Sequence, residues 1–278
     1  MSRAALASGC LVVLIFTACA HLQPAQDETL EVSTTVQCDQ VTTAPRRLRV
    51  ASYNIKSATM QSLEEIAHVL ATLDADVVAL QEVDRHLPRS GGRDEAQWLA
   101  QALGYNHAFA GALKRDGGAY GVALLSRLPI AAAERLALLS PASTEPRVAL
   151  HVTLCAGARP FHVVASHTDV LPWSALENIN TLADHLRPLV GKGLLLLADL
   201  NSLPGWPGPR VLTGLGLADL IGLHAEGTTF VGDPLGRRLD YIFSDAPFTR
   251  RFSSAGIHPH TASDHLPVFA DLDVTAGL

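Results

Sequence analysis

Apolar runs of strand length recur through most of the chain, interrupted by a few stretches of helical spacing. An alternating pattern runs from Leu48 to Asn54, and continuous apolar runs cover 77–80, within the strand DVVAL predicted at 76–80, and 194–198. The alternating pattern indicates a half-buried strand, and the continuous runs indicate fully buried strands. Further strands are predicted near 105–110, 119–126, 130–138, 147–154, 161–167, 228–231, 239–244, 250–258 and 267–273.

Helical periodicity is confined to a few segments. Apolar positions spaced three and four residues apart predict a helix from Ser62, where Ser62 and Glu65 could form a capping box. The same spacing predicts helices over about 94–103 and 173–189, and a short one after the Pro/Gly-rich loop 203–209. Many strands with three or four helices favour two sheets packed face to face with helices outside.

The first 19 residues resemble an export signal. Arg3 provides a positive start, residues 11–16 form a short apolar core, and small residues precede Cys19. The segment FTAC that ends at Cys19 resembles a bacterial lipobox, in which the cysteine is lipidated, although Phe stands where Leu is usual. The alternative is an ordinary signal peptide cut after Ala18 or Ala20. Both interpretations predict an exported protein, and the first predicts a lipoprotein anchored in the outer membrane or cell envelope.

A polar segment separates this signal from the rest of the chain. Residues 20–46 lack a sustained period and are predicted to be a flexible tether to a domain spanning 47–278. Cys10 would be removed with the signal, and an exported pair such as Cys38 and Cys155 could form a disulfide. The sequence leaves that pairing open, because it does not give the distance between the two Cα atoms.

Composition narrows the class of protein. The 278 residues are 48% hydrophobic, so a large core can form, and about 230 of them suit one α/β domain. The formal net charge is -6, which argues against a general nuclease because non-specific nucleic-acid binding usually needs a basic surface. No apolar run of about 20 residues occurs outside the N-terminal region, so no internal membrane span is expected.

Polar residues that suit catalysis or metal binding lie next to six of the apolar runs, five at the end of a run and the last pair just before the final run. They are Asn54, Glu82, His167, the pair Asp199 and Asn201, Asp240, and the pair Asp264 and His265. Each of them alone also fits an ordinary role as a turn, a cap or a surface ion pair. One active site at a rim of the sheets would explain all six together.

The chemistry of these residues indicates a phosphate and a hard cation. Glu82 follows an apolar strand, where a buried carboxylate is costly unless it is paired or binds a metal. Oxygen ligands favour Mg²⁺, Mn²⁺ or Ca²⁺, whereas zinc prefers Cys and His at short spacing, which the sequence lacks. His167 and His265 could flank one phosphate, Asp240 could orient one of them, and Arg147 could hold phosphate charge.

Seven short motifs occur in a fixed order along the chain. They are Tyr53-Asn54, Leu80-Gln81-Glu82, the run AYGVALLS at 119–126, Ser166-His167-Thr168, Ala198-Asp199-Leu200-Asn201, Leu239-Asp240-Tyr241-Ile242 and Ser263-Asp264-His265. In this order they resemble the endonuclease/exonuclease/phosphatase superfamily, the DNase I-like group, over residues 48–274. The resemblance implies a four-layered α/β sandwich, with two packed mixed β-sheets flanked by helices, and hydrolysis of phosphoesters with Mg²⁺ or a similar ion.

The resemblance also implies where the cation binds. Glu82 matches the family's metal-binding glutamate, Asn54 the asparagine near metal and phosphate, and Asp264 an aspartate on the metal side. Lys56 departs from the abasic-site endonucleases, which carry an aspartate at that place near the metal. Cation binding is therefore expected to depend more heavily on Glu82.

The remaining motif residues match catalytic positions. His265 matches the histidine that serves as general base or phosphate ligand, and Asp240 the aspartate that orients it. Asp199 and Asn201 match the pair that positions nucleophile and phosphate, and His167 matches a second histidine at the phosphate or leaving group. The resemblance thus implies attack of water on the phosphorus, with His265 taking the proton. Arg147 is a looser match to a phosphate-binding arginine.

The sequence therefore predicts a metal-dependent phosphoester hydrolase, a phosphodiesterase rather than a monoesterase. The expected partner is a lipid or small-molecule phosphoester rather than nucleic acid, with the membrane reached through a lipid on Cys19. The protein is expected to be a monomer. Two alternatives stay open: a secreted nuclease acting on DNA or RNA, and a non-catalytic binding protein on the same fold.

Overall fold

A computed structural model of the chain describes residues 27–140, 144–224, 227–231, 233 and 235–274. The predicted signal segment 1–19, including Cys19, lies outside the described residues. None of the helices in the described ranges is long and apolar enough to cross a membrane.

Thirteen strands of the described chain form two sheets. One has seven strands in the order β1-β4-β5-β3-β2-β13-β12, and the other has six in the order β10-β11-β9-β8-β7-β6. The strands are β1 Leu30–Val32, β2 Arg47–Asn54, β3 Val77–Arg85, β4 Asn106–Arg115, β5 Gly118–Ser126, β6 Ile130–Leu138, β7 Arg147–Ala156, β8 Arg159–His167, β9 Leu194–Asp199, β10 Ala218–Asp219, β11 Asp240–Ser244, β12 Phe252–Ile257 and β13 Val268–Asp273.

Six α-helices of the described chain flank the two sheets, and the four longest cover their outer faces. They are α1 Leu63–Leu73, α2 Glu95–Leu103, α3 Pro172–Leu186, α4 Pro207–Gly214, α5 Leu220–His224 and α6 Ala246–Thr249. The first two share an apolar cluster with the seven-stranded sheet, and α3 and α4 share one with the six-stranded sheet. A third cluster fills the space between the sheets. This arrangement confirms the predicted four-layered α/β sandwich.

The two main helices of the first half begin where the sequence pattern predicts. The Ser62 hydroxyl accepts a hydrogen bond from the Glu65 backbone N–H at 3.2 Å, so it satisfies one of the free donors at the start of α1. The Asp94 carboxylate accepts from the Gln97 N–H at 3.0 Å and caps α2 in the same way.

Part of the predicted tether belongs to the domain. The short strand β1 pairs antiparallel with the edge strand β4, and Cys38 forms a disulfide with Cys155 on β7. The polar composition of 27–46 indicated a segment with no core of its own. The segment is held by the pairing of β1 with β4 and by the disulfide, and neither contact can be predicted from hydrophobic periodicity. Leu30–Val32 and Cys38, which lie in the segment predicted as a tether, are therefore attached to the domain.

One predicted strand does not form. Residues 228–231 make a loop with a single bridge between Phe230 and His265. The Thr229 hydroxyl accepts hydrogen bonds from the N–H groups of Leu239 and Asp240, so side-chain bonding replaces a strand ladder here.

Two parallel strand pairs place the candidate residues at one rim. Strand β2 runs parallel to β3, and β8 runs parallel to β9. Asn54, His167 and Asp199 are the last residues of β2, β8 and β9. Because both sheets end their parallel pairs on the same side of the sandwich, these side chains meet between the sheets.

Candidate active site

Asn54 links the two sheets at the centre of the site. Its buried Nδ2 donates hydrogen bonds to Glu82 Oε1 and to Asp199 Oδ2, each at 3.0 Å. Its Oδ1 accepts from the Lys56 N–H at 3.0 Å, which fixes the orientation of the amide. One amide therefore holds two carboxylates from different sheets close together.

The backbone at Glu82 is shaped to present its carboxylate to the pocket. Glu82 has a positive φ of 55° at an irregularity in the pairing of β3 with β5. Ser57 Oγ donates to the Glu82 carbonyl and to the buried Asp84 carboxylate, both at 3.0 Å. Arg89 donates to both Asp84 oxygens at 2.6 and 2.7 Å. The sequence analysis did not predict the roles of Ser57, Asp84 and Arg89. The one hint in the sequence was Asp84, a second acidic residue on the same apolar strand as Glu82.

A buried carboxylate holds the histidine of the last motif. Asp240 Oδ2 lies 2.8 Å from His265 Nδ1, and strand pairing sets Asp240 directly opposite Asp199. Burial disfavours the charged imidazole, but the carboxylates of Asp240 and Asp199 outweigh it and raise the pKa of His265 to about 10. The ring is therefore an imidazolium at neutral pH.

Asp199 lies between the two histidines. Its Oδ2 is 3.7 Å from the Nε2 atoms of both His167 and His265, and its Oδ1 accepts from the Asn201 N–H at 3.0 Å. Burial raises the pKa of Asp199 to about 6, against the attraction of the His265 cation and the Asn54 hydrogen bond. Asp199 is thus an ionised carboxylate at pH 7, and it binds a proton more tightly than an ordinary aspartate does.

The second histidine has a different electrostatic setting. Burial and the adjacent Arg147 guanidinium hold the pKa of His167 well below its usual range. Arg147 Nη1 donates to His167 Nδ1 at 3.2 Å, so that nitrogen is an acceptor and the ring is neutral. Asn201 Nδ2 lies 3.1 Å from His167 Nε2. The site therefore combines one neutral and one charged imidazole.

The carboxylate of Asp264 is paired with a lysine. Lys56 Nζ forms an ion pair with Asp264 Oδ2, and the two side chains are 43% and 16% exposed. Lys56 has a positive φ of 48°, which turns the chain after β2 toward the site. Asp264 thus shares its charge with Lys56, whereas the hydrogen bond seen for the Glu82 carboxylate among the described residues comes from the neutral Asn54 amide.

The donor set fits a hard divalent cation. Glu82 and Asp199 present carboxylate oxygen atoms that the Asn54 amide holds close together, and Mg²⁺ and Ca²⁺ prefer such oxygen ligands. One ligand atom from each of Asp199, Asp240 and His265 lies within 4.8 Å of the others. Asp240 Oδ1 is buried and has no hydrogen-bond partner among the described residues, so the cluster has spare acceptor capacity.

A pocket of about 430 Å³ is lined by Glu82, His167, Asp199, Asn201, Asp264 and His265, and the buried Asn54 and Asp240 are not part of its lining. Its walls carry the cations of Lys56, Arg147 and Arg237 together with apolar residues, among them Trp206. A larger cavity of about 910 Å³ lies beside it and shares Leu203 and Arg237 with it. The site therefore adjoins a second, largely apolar cavity.

Two mixed sheets between helices, with this cluster at their rim, are the architecture of the DNase I-like phosphoesterases. A model of the endonuclease/exonuclease/phosphatase family matches residues 51–265, and the chain belongs to that family.

Solved structures agree with this assignment. An endonuclease/exonuclease/phosphatase from Beutenbergia cavernae is similar at 26% identity over 82% of this chain and 72% of its own, with a TM-score of 0.69. A mannosyl-6-phosphatase of Bacteroides thetaiotaomicron is 21% identical over 80% and 98%, with a TM-score of 0.66. The human Nocturnin catalytic domain is 20% identical over 86% and 98%, with a TM-score of 0.63. The last two similarities concern the fold.

Proposed function

We propose that this protein is a metal-dependent phosphoester hydrolase that prefers phosphodiesters. The observation that carries the proposal is the position of Asp199, whose Oδ2 lies 3.7 Å from the Nε2 atoms of both His167 and His265. Lys56 and Arg147 line the same pocket, so positive charge surrounds a carboxylate that can accept a proton. A phosphate seated there would meet cations on several sides and a base beneath it.

The proton acceptor that this arrangement favours is Asp199. The sequence analysis assigned that role to His265, but an imidazole with a pKa of about 10 already carries its proton at neutral pH. Asp199, with a pKa of about 6, is ionised and can take a proton from the attacking water. The His265 cation, held by Asp240, would then stabilise the phosphoryl oxygens, and Asn201 and His167 would orient them.

A divalent cation of the Mg²⁺, Mn²⁺ or Ca²⁺ class would be held by Glu82, with Asn54 and Asp264 nearby. Bound there, it would supply neutralisation of the negative charge that develops on phosphoryl or leaving-group oxygens. The chain's own part is to keep the Glu82 carboxylate directed at the pocket through the Ser57, Asp84 and Arg89 contacts.

The preference for diesters is supported by the second compartment. A diester carries a substituent on both sides of the phosphorus, and the 910 Å³ cavity that adjoins the site at Leu203 and Arg237 has room for one of them. Exposed apolar side chains near the pocket support a lipid as that substituent. Val170 is 64% exposed and Trp173 is 62% exposed. The nuclease alternative is supported by the three pocket cations Lys56, Arg147 and Arg237.

The test compares substrates on the purified full-length protein in detergent with Mg²⁺. We expect faster hydrolysis of bis-p-nitrophenyl phosphate than of p-nitrophenyl phosphate, and hydrolysis of phospholipid in vesicles above that of single-stranded DNA. Equal or faster monoester hydrolysis would contradict the diester preference, and faster DNA cleavage would support the nuclease instead. Trp173→Ala, outside the pocket lining, should slow the vesicle reaction and leave the soluble diester reaction unchanged.

We further propose that the protein is exported and anchored to the cell envelope through a lipid on Cys19. The supporting observations are the apolar segment 11–16 before the FTAC motif and the disulfide between Cys38 and Cys155, which suits an oxidising compartment. Labelling of producing cells with radioactive palmitate should mark the wild-type protein and leave Cys19→Ser unlabelled. Equal labelling of both, or of neither, would contradict the anchor.

A further inference from the structure

Three histidines and a glutamate meet on the outer face of the six-stranded sheet. Glu134 on β6 lies directly opposite His151 on β7 in the strand register, so both side chains point to the same face. His162 on β8 pairs with the position two residues from His151 and shares that face. His185 in the last turn of α3 completes the group. These four residues stand far apart in the sequence, with no short Cys/His spacing to reveal them.

The group lies away from the candidate active site. His162 and His167 are on the same strand and five residues apart, which is about 17 Å along β8. None of Glu134, His151 and His185 lines the pocket that contains Asp199. A ligand bound here would therefore be separate from the phosphoesterase chemistry.

The spacing of the donor atoms suits a tetrahedral metal. His151 Nδ1 lies 3.2 Å from His185 Nε2 and 3.7 Å from Glu134 Oε2, and the three ligand atoms are all within 4.8 Å of one another. Zinc at about 2.0–2.1 Å from each ligand requires ligand atoms about 3.3 Å apart. The two separations from His151 Nδ1 are therefore close to the edge length of a zinc tetrahedron.

The hydrogen-bond partner of His151 supports the same assignment. Its Nε2 lies 3.0 Å from His162 Nδ1, so an Nε2–H that donates to His162 leaves Nδ1 unprotonated toward His185 and Glu134. Metal-binding histidines usually donate their second N–H to a hydrogen-bond acceptor, which fixes the tautomer and the ring orientation, and the unprotonated Nδ1 of His162 would be that acceptor here.

We propose that Glu134, His151 and His185 bind a transition-metal ion of the zinc class. Two imidazole nitrogens and one carboxylate oxygen form a ligand set that zinc enzymes use, with the fourth position left to water. The side chain of Glu134 is 63% exposed and that of His151 is 11% exposed, so the ion would enter from solvent past the glutamate. Bound there, it would tie the end of α3 to strands β6 and β7.

The test measures Zn²⁺ binding by equilibrium dialysis of the metal-stripped full-length protein in detergent. The wild type should bind one zinc more than His185→Gln, and Glu134→Gln should bind that zinc at least about 10-fold more weakly. His68→Gln, which removes an exposed histidine from α1, is the matched control and should bind as the wild type does. Cobalt substituted for zinc should give the visible absorption of a tetrahedral ion in the wild type and lose it in His185→Gln.

The opposite results would overturn the proposal. Equal zinc stoichiometry and affinity in the wild type, His185→Gln and Glu134→Gln would show that the histidines only bond to one another. Glu134→Gln changes an exposed side chain, so the comparison holds even if His185→Gln folds poorly. Hydrolysis of bis-p-nitrophenyl phosphate with Mg²⁺ should be unchanged in Glu134→Gln, which separates this site from the proposed function.

Discussion

Asp240 Oδ2 lies 2.8 Å from His265 Nδ1, and both side chains are buried at the rim where the two sheets meet. The contact makes His265 a cation held beside the Asp199 carboxylate. It also couples the stability of the fold to the protonation of an active-site residue, so the same pair can be tested by unfolding as well as by activity.

Replacing Asp240 should flatten the dependence of stability on alkaline pH. Because the folded-state pKa of His265 is raised from 6.5 to about 10, its contribution is complete below pH 6.5 and is lost as the pH rises toward 10. The free energy of unfolding should fall by about 1.4 kcal/mol per pH unit in that window from this group alone. Asp199 also has a raised pKa, about 6, but it changes the free energy of unfolding below pH 6.5 and so does not contribute to this slope.

Urea unfolding of wild type and Asp240→Asn between pH 6.5 and 10 measures this slope. The variant should show a clearly smaller decline, and Asp184→Asn, at an exposed helix position, should behave as wild type. Identical slopes in wild type and Asp240→Asn would mean that His265 is not charged by Asp240.

Removing the charge of Lys56 should tighten binding of the catalytic cation. Lys56 forms an ion pair with Asp264 and lies in the pocket with Glu82, so it repels a divalent ion and occupies a carboxylate. Its side chain is 43% exposed, and solvent screening limits the effect. The Mg²⁺ concentration for half-maximal activity of Lys56→Gln should therefore fall by up to about 10-fold. Lys114→Gln, at an exposed position on β4, is the control, and an unchanged or higher Mg²⁺ requirement in Lys56→Gln would contradict this account.

Breaking the disulfide should destabilise the domain without affecting catalysis. Cys38 and Cys155 are 117 residues apart, and a link across so long a loop contributes about 2–5 kcal/mol to the free energy of unfolding. Cys155 is about 26 Å along β7 from Arg147, so the site should keep its geometry. Urea unfolding with and without reductant should show this loss in the wild type and none in Cys38→Ala. A wild type that is indifferent to reductant would contradict the prediction.

The fold was predictable because local patterns and tertiary structure agree at most positions. The continuous run 194–198 could only be a buried strand, and the Ser62 cap marked the start of α1. The edge strand Leu30–Val32 was missed because three residues in a polar segment have no period. The loop at 228–231 was predicted as a strand because Thr, Phe and Val favour strands, but it forms a single bridge, between Phe230 and His265.

The sequence predicted which residues form the candidate site, because most of them lie at the ends of neighbouring strands, but it did not predict the contacts between them. Motif order placed Asp199 and His265 together, but sequence could not show that Lys56 pairs with Asp264, because that contact depends on how the chain turns after β2. For the same reason the sequence could not predict that the pKa of Asp199 is lower than that of His265. Those pKa values depend on burial and on distances between the sheets.

The central claim is that Asp199 accepts the proton from the attacking water. The most direct measurement is kcat for bis-p-nitrophenyl phosphate with saturating Mg²⁺ in wild type and Asp199→Asn, with urea unfolding as the check on folding. The amide keeps the size of the side chain and removes the base, so kcat should fall by about 10²–10⁴-fold while the protein stays folded. A folded Asp199→Asn that keeps more than about a tenth of the wild-type kcat would contradict the account.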